Sequence, residues 1–229
     1  MANIAIITAR GGSKRIPKKN IKEFCGKPII CYSIEAAVNS GAFEEVMVST
    51  DDTEIAEISI KYGAKVPFMR SKETSGDYSV TADVIKEVLL KYQESNSIFD
   101  YFCCIYPTAP FVTAERLKDA MGLLISSNAD SLLPVVKYSF PPQRSVVIKD
   151  GLAVMKWPEN MNTRSQDLEA FYHDSGQFYV MKSSVFMERN KLITDKTIPL
   201  ILPETEVQDI DTLDDWAIAE MKYKIINPG

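Results

Sequence analysis

Ile4-Ala5-Ile6-Ile7-Thr8-Ala9-Arg10-Gly11-Gly12-Ser13-Lys14-Arg15-Ile16-Pro17-Lys18-Lys19-Asn20 begins as a short apolar run rich in β-branched residues. It then breaks into a small-residue turn set among cations. The apolar run has the composition of a buried strand. Between residues 10 and 22 stand six basic side chains (Arg10, Lys14, Arg15, Lys18, Lys19, Lys22) and no acid, although the whole chain carries a net charge of -5. Glycines let backbone N–H groups approach a ligand, and Lys and Arg neutralise phosphate charge. Ligands of open α/β sheets sit at the carboxyl ends of strands, where this turn falls. The stretch therefore reads as a polyphosphate site, against the alternative of a solvated basic loop. Neither the P-loop pattern nor the G-x-G-x-x-G dinucleotide pattern is present.

Outward from this turn, strand and helix patterns alternate. Pro28 to Ser40 reads as a helix with Pro in its first turn and Gly41 beyond its end. Glu44 to Thr50 reads as a strand, and Asp51 or Asp52 as the cap of a helix running to Tyr62 and closed by Gly63. Lys65 to Met69 reads as a third strand. Arg70 to Ser79 is a polar loop carrying Gly76 and Asp77, and Ser79 is placed to cap the helix of Val84, Ile85, Val88, Leu89 and Tyr92. Tyr101 to Tyr106 is almost wholly apolar, as a central strand is. Thr113 opens a helix through Ile125. The alternation predicts an α/β fold, a mainly parallel sheet covered by helices on both faces.

The second half changes character. Ser131 to Lys137 reads as a strand, and Asp150-Gly151, between Val146-Val147-Ile148 and Ala153-Val154-Met155, is a hairpin signal. Residues 158–175 are polar and irregular. Gln177 to Lys182 and Ile198 to Leu202 complete the strands. Thr212, with Asp215 three residues on, caps a last helix carrying Trp216, Ala219 and Tyr223 on one face. No linker composition interrupts residues 1–229, which read as one domain with 138–175 as a hairpin and loop excursion.

With 229 residues, 45% hydrophobic and 25% charged, the chain has the composition of an ordinary globular protein. No apolar run reaches the length of a membrane span, and the first residues enter a strand without a signal segment, so a cytoplasmic protein is expected. Cys25, Cys31, Cys103 and Cys104 lack C-x-x-C spacing and are expected as reduced thiols. A single histidine excludes a His-rich metal site, and the acidic total disfavours a nucleic-acid partner.

Gln208-Asp209-Ile210-Asp211 follows a strand and precedes the last helix. Residues two apart in extended backbone point the same way, so Asp209 and Asp211 form a carboxylate pair suited to Mg²⁺ shared with substrate phosphates. The alternative is acid clustered at a helix N-terminus, where Asp211, Asp214 and Asp215 all favour the dipole.

Residues 9–20 resemble the N-terminal signature of the CMP-N-acetylneuraminate synthetase family, cytidylyltransferases that activate nine-carbon 2-keto sugar acids. The resemblance continues through Ser49-Thr50-Asp51-Asp52, Tyr106-Pro107-Thr108-Ala109-Pro110, His173-Asp174-Ser175-Gly176-Gln177 and Gln208-Asp209-Ile210-Asp211. Within the family the chain is most similar to the branch acting on pseudaminic acid. The resemblance implies CTP and a nonulosonic acid as substrates, Mg²⁺ as cofactor, and a homodimer in which the 138–175 excursion reaches over the partner's site. The residues alone leave a lid over the chain's own sheet equally open.

By the same resemblance, the nucleotide is held by Ala9, Arg10, Gly11, Ser13, Lys14, Lys19 and Asn20, with Arg70 either approaching it or serving as an ordinary strand-end cation. Arg10, Lys14, Asp209 and Asp211 carry the catalysis, the two aspartates through the metal. Tyr106, Arg164, His173, Gln177 and Tyr179 are the implied sugar contacts, with Arg164 suited to a bidentate bond with the sugar carboxylate. His173 taken alone reads rather as a surface or strand-edge histidine. Sialate enzymes carry Gln where this chain has Tyr106, which turns the reading away from N-acetylneuraminate. The acidic residue of the deoxy-manno-octulosonate branch is missing from the loop after that strand. Other readings are a CMP-N-acetylneuraminate or CMP-legionaminate synthetase, a D-x-D glycosyltransferase, and a non-catalytic phosphate-binding module.

Overall fold

The computed structural model describes residues 1–76 and 78–228; Asp77, in the expected polar loop, and Gly229 lie outside the described residues. The apolar run at the start is strand β1 (Asn3–Thr8). Its side chains alternate between two cores, as a pleated strand requires. Ala5 and Ile7 pack with Ile30, Ile34, Leu117 and Leu124, while Ile4 and Ile6 pack with Ile85, Val88, Leu89 and Phe102. Both faces are covered, and burying each isoleucine is worth about 1.5–3 kcal/mol.

After β1, the short strands β2 (Glu23–Phe24) and β3 (Lys27–Pro28) form a tight hairpin that leads into α1 (Ile29–Ser40). Gly41 ends α1 in the left-handed conformation, φ 60°. Next come β4 (Glu45–Ser49) and α2 (Thr53–Lys61), capped by Asp52, which accepts from the N–H groups of Glu54 and Ile55. The one-turn α3 (Lys72–Ser75) precedes α4 (Thr81–Glu94), β5 (Tyr101–Ile105), α5 (Ala114–Ser126) and β6 (Ser131–Lys137). The excursion holds the hairpin of β7 (Val146–Lys149) and β8 (Leu152–Met155), whose turn places Asp150 and Gly151 at φ 49° and 78°. The chain then returns as β9 (Tyr172–Asp174), β10 (Phe178–Lys182), α6 (Ser183–Arg189), β11 (Thr197–Leu202) and α7 (Leu213–Ile226).

The main sheet runs β11-β6-β10-β5-β1-β4, with β9 also paired to β6. Neighbouring pairs are parallel except those involving β9 and β10. Helices α1 and α5 cover one face and α4 and α6 the other. The fold is thus the mainly parallel α/β sheet expected, with an antiparallel intruder between β5 and β6. β9 and β10 are two parts of one bent path. The Ser175 N–H donates to Pro134 O (3.0 Å), Gly176 turns the chain at φ 64°, and Gln177 O accepts from the Tyr106 N–H (2.8 Å). The bend lies beside the end of β5, level with the basic turn.

Several local expectations change. Pro28 pairs in β3 and stands before α1 instead of in its first turn, the polar loop after Arg70 holds α3, and the irregular stretch 158–175 ends in β9, which joins the main sheet. Lys65–Met69 is a single bridge between Lys65 and Met47, because Pro67 has no N–H with which to extend a ladder. Val80, not Ser79, is the residue before α4, and the Ser79 hydroxyl donates instead to Glu73 O. Helix α6, which carries the buried Phe186, was not read from the sequence. Thr212 and Asp215 form a complete capping box on α7.

Candidate active site

At the carboxyl end of β1 the backbone stays fastened to its neighbour before it turns. The Ala9 N–H donates to Ser49 O (2.9 Å) and the Gly11 N–H to Asp51 Oδ1 (2.9 Å). The Ser13 N–H donates to Gly11 O (3.0 Å). The N–H groups of Gly11 and Ser13 are therefore spent within the protein and do not line up as a phosphate cradle. Gly11 is required for a different reason: a Cβ there would lie 2.7 Å from Asp52 Oδ2. Asn20, 5% exposed, donates from Nδ2 to Arg10 O (2.8 Å) and closes the loop from within.

The loop arches over a cavity of about 250 Å³ lined by Thr8, Arg10, Ser13, Lys14, Arg15, Ile16, Lys19 and Asn20 on one side. Tyr106, Pro107, Thr108, Gly176, Asp209 and Asp211 line the other. Four cations thus face two carboxylates across a space at the ends of β1 and β5. Arg10 also donates to Gly76 O (3.1 Å). Lys19 Nζ donates to Ile210 O (2.7 Å) and lies 3.6 Å from Asp211, while Arg15 pairs with Asp211 at 2.7 Å. The Arg15–Asp211 pair is solvent-exposed and worth about 0–1 kcal/mol, so either partner can exchange it for a ligand at little cost.

Asp209 differs from Asp211. Burial, and then the charge of Asp211, push the Asp209 carboxyl above its ordinary range, with Lys19 opposing. Asp209 is nonetheless solvent-exposed at the cavity, and an exposed carboxylate beside a second one is stabilised by a cation between them. Two carboxylates in a cavity lined by cations match the donor set of Mg²⁺, which takes one or two carboxylates and completes its shell with water and phosphate. Among the described residues no group of three or more His, Cys, Asp or Glu could form an all-protein cage.

The other expected residues are distributed around this cavity. Tyr106 lines it and also faces a second, more open hollow with Val80, Thr81, Ala82, Tyr179, Lys191, Leu192 and Ile193. The rings of Tyr106 and Tyr179 meet edge to face at 5.8 Å, the Tyr106 and Thr81 hydroxyls lie 3.3 Å apart, and the Tyr179 hydroxyl donates to Asp174. The His173 ring meets Tyr138 at a tilt of 59°, centres 4.9 Å apart, outside the main cavity. Gln177 is buried and donates from Nε2 to Glu206 O (2.6 Å). Ala9 is buried below the loop. Arg70 is also buried, donating to Ser49 Oγ (3.0 Å) and Ser49 O (2.5 Å), so it braces the turn after β4 from beneath. Arg164 lies in the excursion, paired with Asp167 at 2.6 Å and outside the cavity.

Sequence reasoning missed Thr8 and Arg15 in the cavity and Thr81, Lys191, Leu192 and Ile193 in the hollow. Arg15 could have been found from its basic neighbours. Thr8 ends β1 inside the opening stretch and could have been found the same way, whereas Thr81 comes from a helix start and 191–193 from an irregular segment with no local motif.

Fold and site define a nucleotide-using transferase of the α/β class, with a cationic loop and a carboxylate pair on one cavity. A family profile described as cytidylyltransferase matches residues 4–209, and the chain belongs to this family. It is 42% identical to the pseudaminic acid cytidylyltransferase of Campylobacter jejuni over 98% of this chain and 97% of that protein. It is 34% identical to the CMP-N,N'-diacetyllegionaminic acid synthase of Legionella pneumophila, over 96% and 95% of the two chains. A solved CMP:2-keto-3-deoxy-manno-octonic acid synthetase in complex with CTP shares the fold, with a TM-score of 0.71, 17% identity and full coverage of both chains.

Proposed function

We propose that this chain transfers CMP from CTP to the C2 hydroxyl of a nine-carbon 2-keto sugar acid, pseudaminic acid, and releases pyrophosphate. The observation that carries this reading is the meeting of Arg10, Lys14 and Lys19 with Asp209 and Asp211 on one cavity, in a chain so similar to a pseudaminic acid cytidylyltransferase. The C2 hydroxyl oxygen attacks the α-phosphorus in line and gives up its proton to solvent, while the bond from that phosphorus to the bridging oxygen of pyrophosphate breaks and pyrophosphate leaves with that electron pair. Such transfers gain most from positioning and charge neutralisation. Arg10, Lys14 and Lys19 neutralise the triphosphate and then the leaving pyrophosphate. Asp209 and Asp211 would hold Mg²⁺, which when bound would supply positive charge to polarise the phosphate under attack.

The hollow beyond Tyr106 supports a sugar of mixed polarity. Thr81, Tyr106 and Tyr179 offer hydroxyls and Lys191 a cation, while Val80, Leu192 and Ile193 offer an apolar wall. A deoxy sugar with a terminal methyl and acetamido methyls suits that wall better than one ending in a polyhydroxyl tail.

The whole chain, 1–229, acts as one cytidylyltransferase domain, and a second copy covers the excursion. Phe140, Val146, Ile148 and Leu152 are each more than half exposed there, an apolar group that a solvated lid has no reason to carry. Free cysteines support a reducing, cytoplasmic location, and among the described residues no helix is long and apolar enough to cross a membrane. A comparison of kcat/KM for pseudaminic, legionaminic and N-acetylneuraminic acids tests the reading. Pseudaminic acid should lead N-acetylneuraminic acid by on the order of 10²-fold, and equal values would overturn the choice of sugar.

A further inference from the structure

The segment that carries the two carboxylates has no ladder of its own. After the short turn Glu204–Glu206 the backbone is irregular until α7 begins. Irregular backbone is held where side chains reach its carbonyls. Lys222 Nζ donates to Val207 O (2.8 Å) and Glu204 O (3.2 Å), and Lys19 Nζ to Ile210 O (2.7 Å). Those two donors come from a helix surface and from the basic loop. The tether from the sheet is Gln177, 2% exposed, whose Nε2 donates to Glu206 O at 2.6 Å.

Gln177 is itself fixed, because its carbonyl accepts the Tyr106 N–H at the end of β5. Asp209 lies three residues beyond Glu206. The preceding residue, Gly176, lines the main cavity, and a Cβ on it would sit 3.9 Å from Asp209 Cγ. The bend between β9 and β10 and the carboxylate segment are thus held in register by one amide. That amide has no place in the lining of either the main cavity or the hollow beyond Tyr106. Its Oε1 is buried without a hydrogen-bond partner among the described residues. An apolar side chain of equal size would avoid that cost, so the N–H to Glu206 is what the amide supplies.

We propose that Gln177 is a positioning residue for the Asp209–Asp211 pair and sets its affinity for a divalent cation, instead of contacting the sugar. The proposal rests on the reading of those aspartates as cation ligands. It is tested with Gln177→Met, which keeps the length and removes the donor. Mn²⁺ is the probe, titrated into the nucleotide-free protein and counted by EPR, with Asp209→Asn as the control for site binding. Alongside, the Mg²⁺ concentration for half-maximal turnover and the KM for the sugar acid are measured.

Loss of this tether should weaken Mn²⁺ binding and raise the Mg²⁺ requirement by about 10-fold, the low end of what losing a direct hydrogen-bond partner of a metal ligand costs. The KM for the sugar acid should move by less than about 2-fold. Lys222→Met releases the same segment from α7 and should give the same split, so the proposal remains testable if Gln177→Met does not fold. Unchanged Mn²⁺ affinity, with or without a raised KM for the sugar, would overturn the positioning role. Wild-type protein that binds no Mn²⁺ and turns over in EDTA would overturn the cation reading and this one together.

Discussion

The Lys19 ammonium donates to the carbonyl oxygen of Ile210 at 2.7 Å, joining residues 191 positions apart. Through this bond the cationic loop after the first strand and the acidic segment before the last helix become opposite walls of one cavity. Neither wall is a site by itself. The loop without the carboxylates is a basic turn, and the carboxylates without the loop are a helix-end acid cluster.

If the loop holds the triphosphate, Arg10→Ala and Lys14→Ala should each lower kcat/KM for CTP at least about 10-fold, the loss of a charge-assisted contact worth roughly 1.5–3 kcal/mol. Steady-state kinetics with CTP varied measures this directly. Thermal midpoints should change little. Near-normal kinetics in both variants would remove the loop from the mechanism.

Gly11→Ala should be costly although the glycine has an ordinary backbone conformation. The added methyl would fall 2.7 Å from Asp52 Oδ2 and 2.9 Å from Asp52 Cβ, against a residue that caps α2. Overpacking of this kind costs about 1–3 kcal/mol. Urea denaturation should show that loss together with a fall in CTP affinity. Gly12→Ala, with open space around the position, should be nearly silent in stability.

The aspartates should separate by position. Asp209→Asn and Asp211→Asn should each cripple turnover, whereas Asp214→Asn, exposed in the first turn of α7, should cost only about 0.3–1 kcal/mol in stability. Asp209 also carries a sign that can be checked. Its carboxyl is raised in the folded state, by burial and then by Asp211, so ionising it opposes folding and its stabilising contribution is lost as pH rises through the folded value. Asp209→Asn should therefore raise the thermal midpoint of the metal-free protein at neutral pH while abolishing activity. A lower midpoint would mean that Asp209 is a structural partner.

Much of the fold was legible because its signals are local. The alternation Ile4, Ala5, Ile6, Ile7, the cap at Asp52 and the Thr212–Asp215 box each act within a few residues. What was not legible depends on pairing across the chain. Nothing in Gln177–Lys182 states that it runs antiparallel between two parallel strands, since its alternation is the same in either direction. Lys65–Met69 has a strand's composition, and Pro67 removes the donor that a ladder needs. At the site, the motifs led to Arg10, Ser13, Lys14, Lys19, Asn20, Tyr106, Asp209 and Asp211, which do share a cavity. The hollow of Thr81, Lys191, Leu192 and Ile193 joins a helix start to the segment after α6, and no spacing marks it.

The Tyr106 ring stands between the two spaces, in edge-to-face contact with Tyr179 and with its hydroxyl near Thr81. Tyr106→Gln should therefore lower kcat/KM for pseudaminic acid about 10-fold or more and narrow its lead over N-acetylneuraminic acid without reversing it. A two-substrate competition assay with both sugars gives that ratio in one measurement. An unchanged ratio would place the sugar away from Tyr106.

The most direct test of the account is pyrophosphate release from CTP, UTP and ATP with pseudaminic acid, with Mg²⁺ present and after EDTA. The account predicts release with CTP alone, stoichiometric with a CMP-sugar product and abolished by EDTA. Release of a nucleoside diphosphate from a nucleotide sugar, or no turnover with any nucleoside triphosphate, would contradict it.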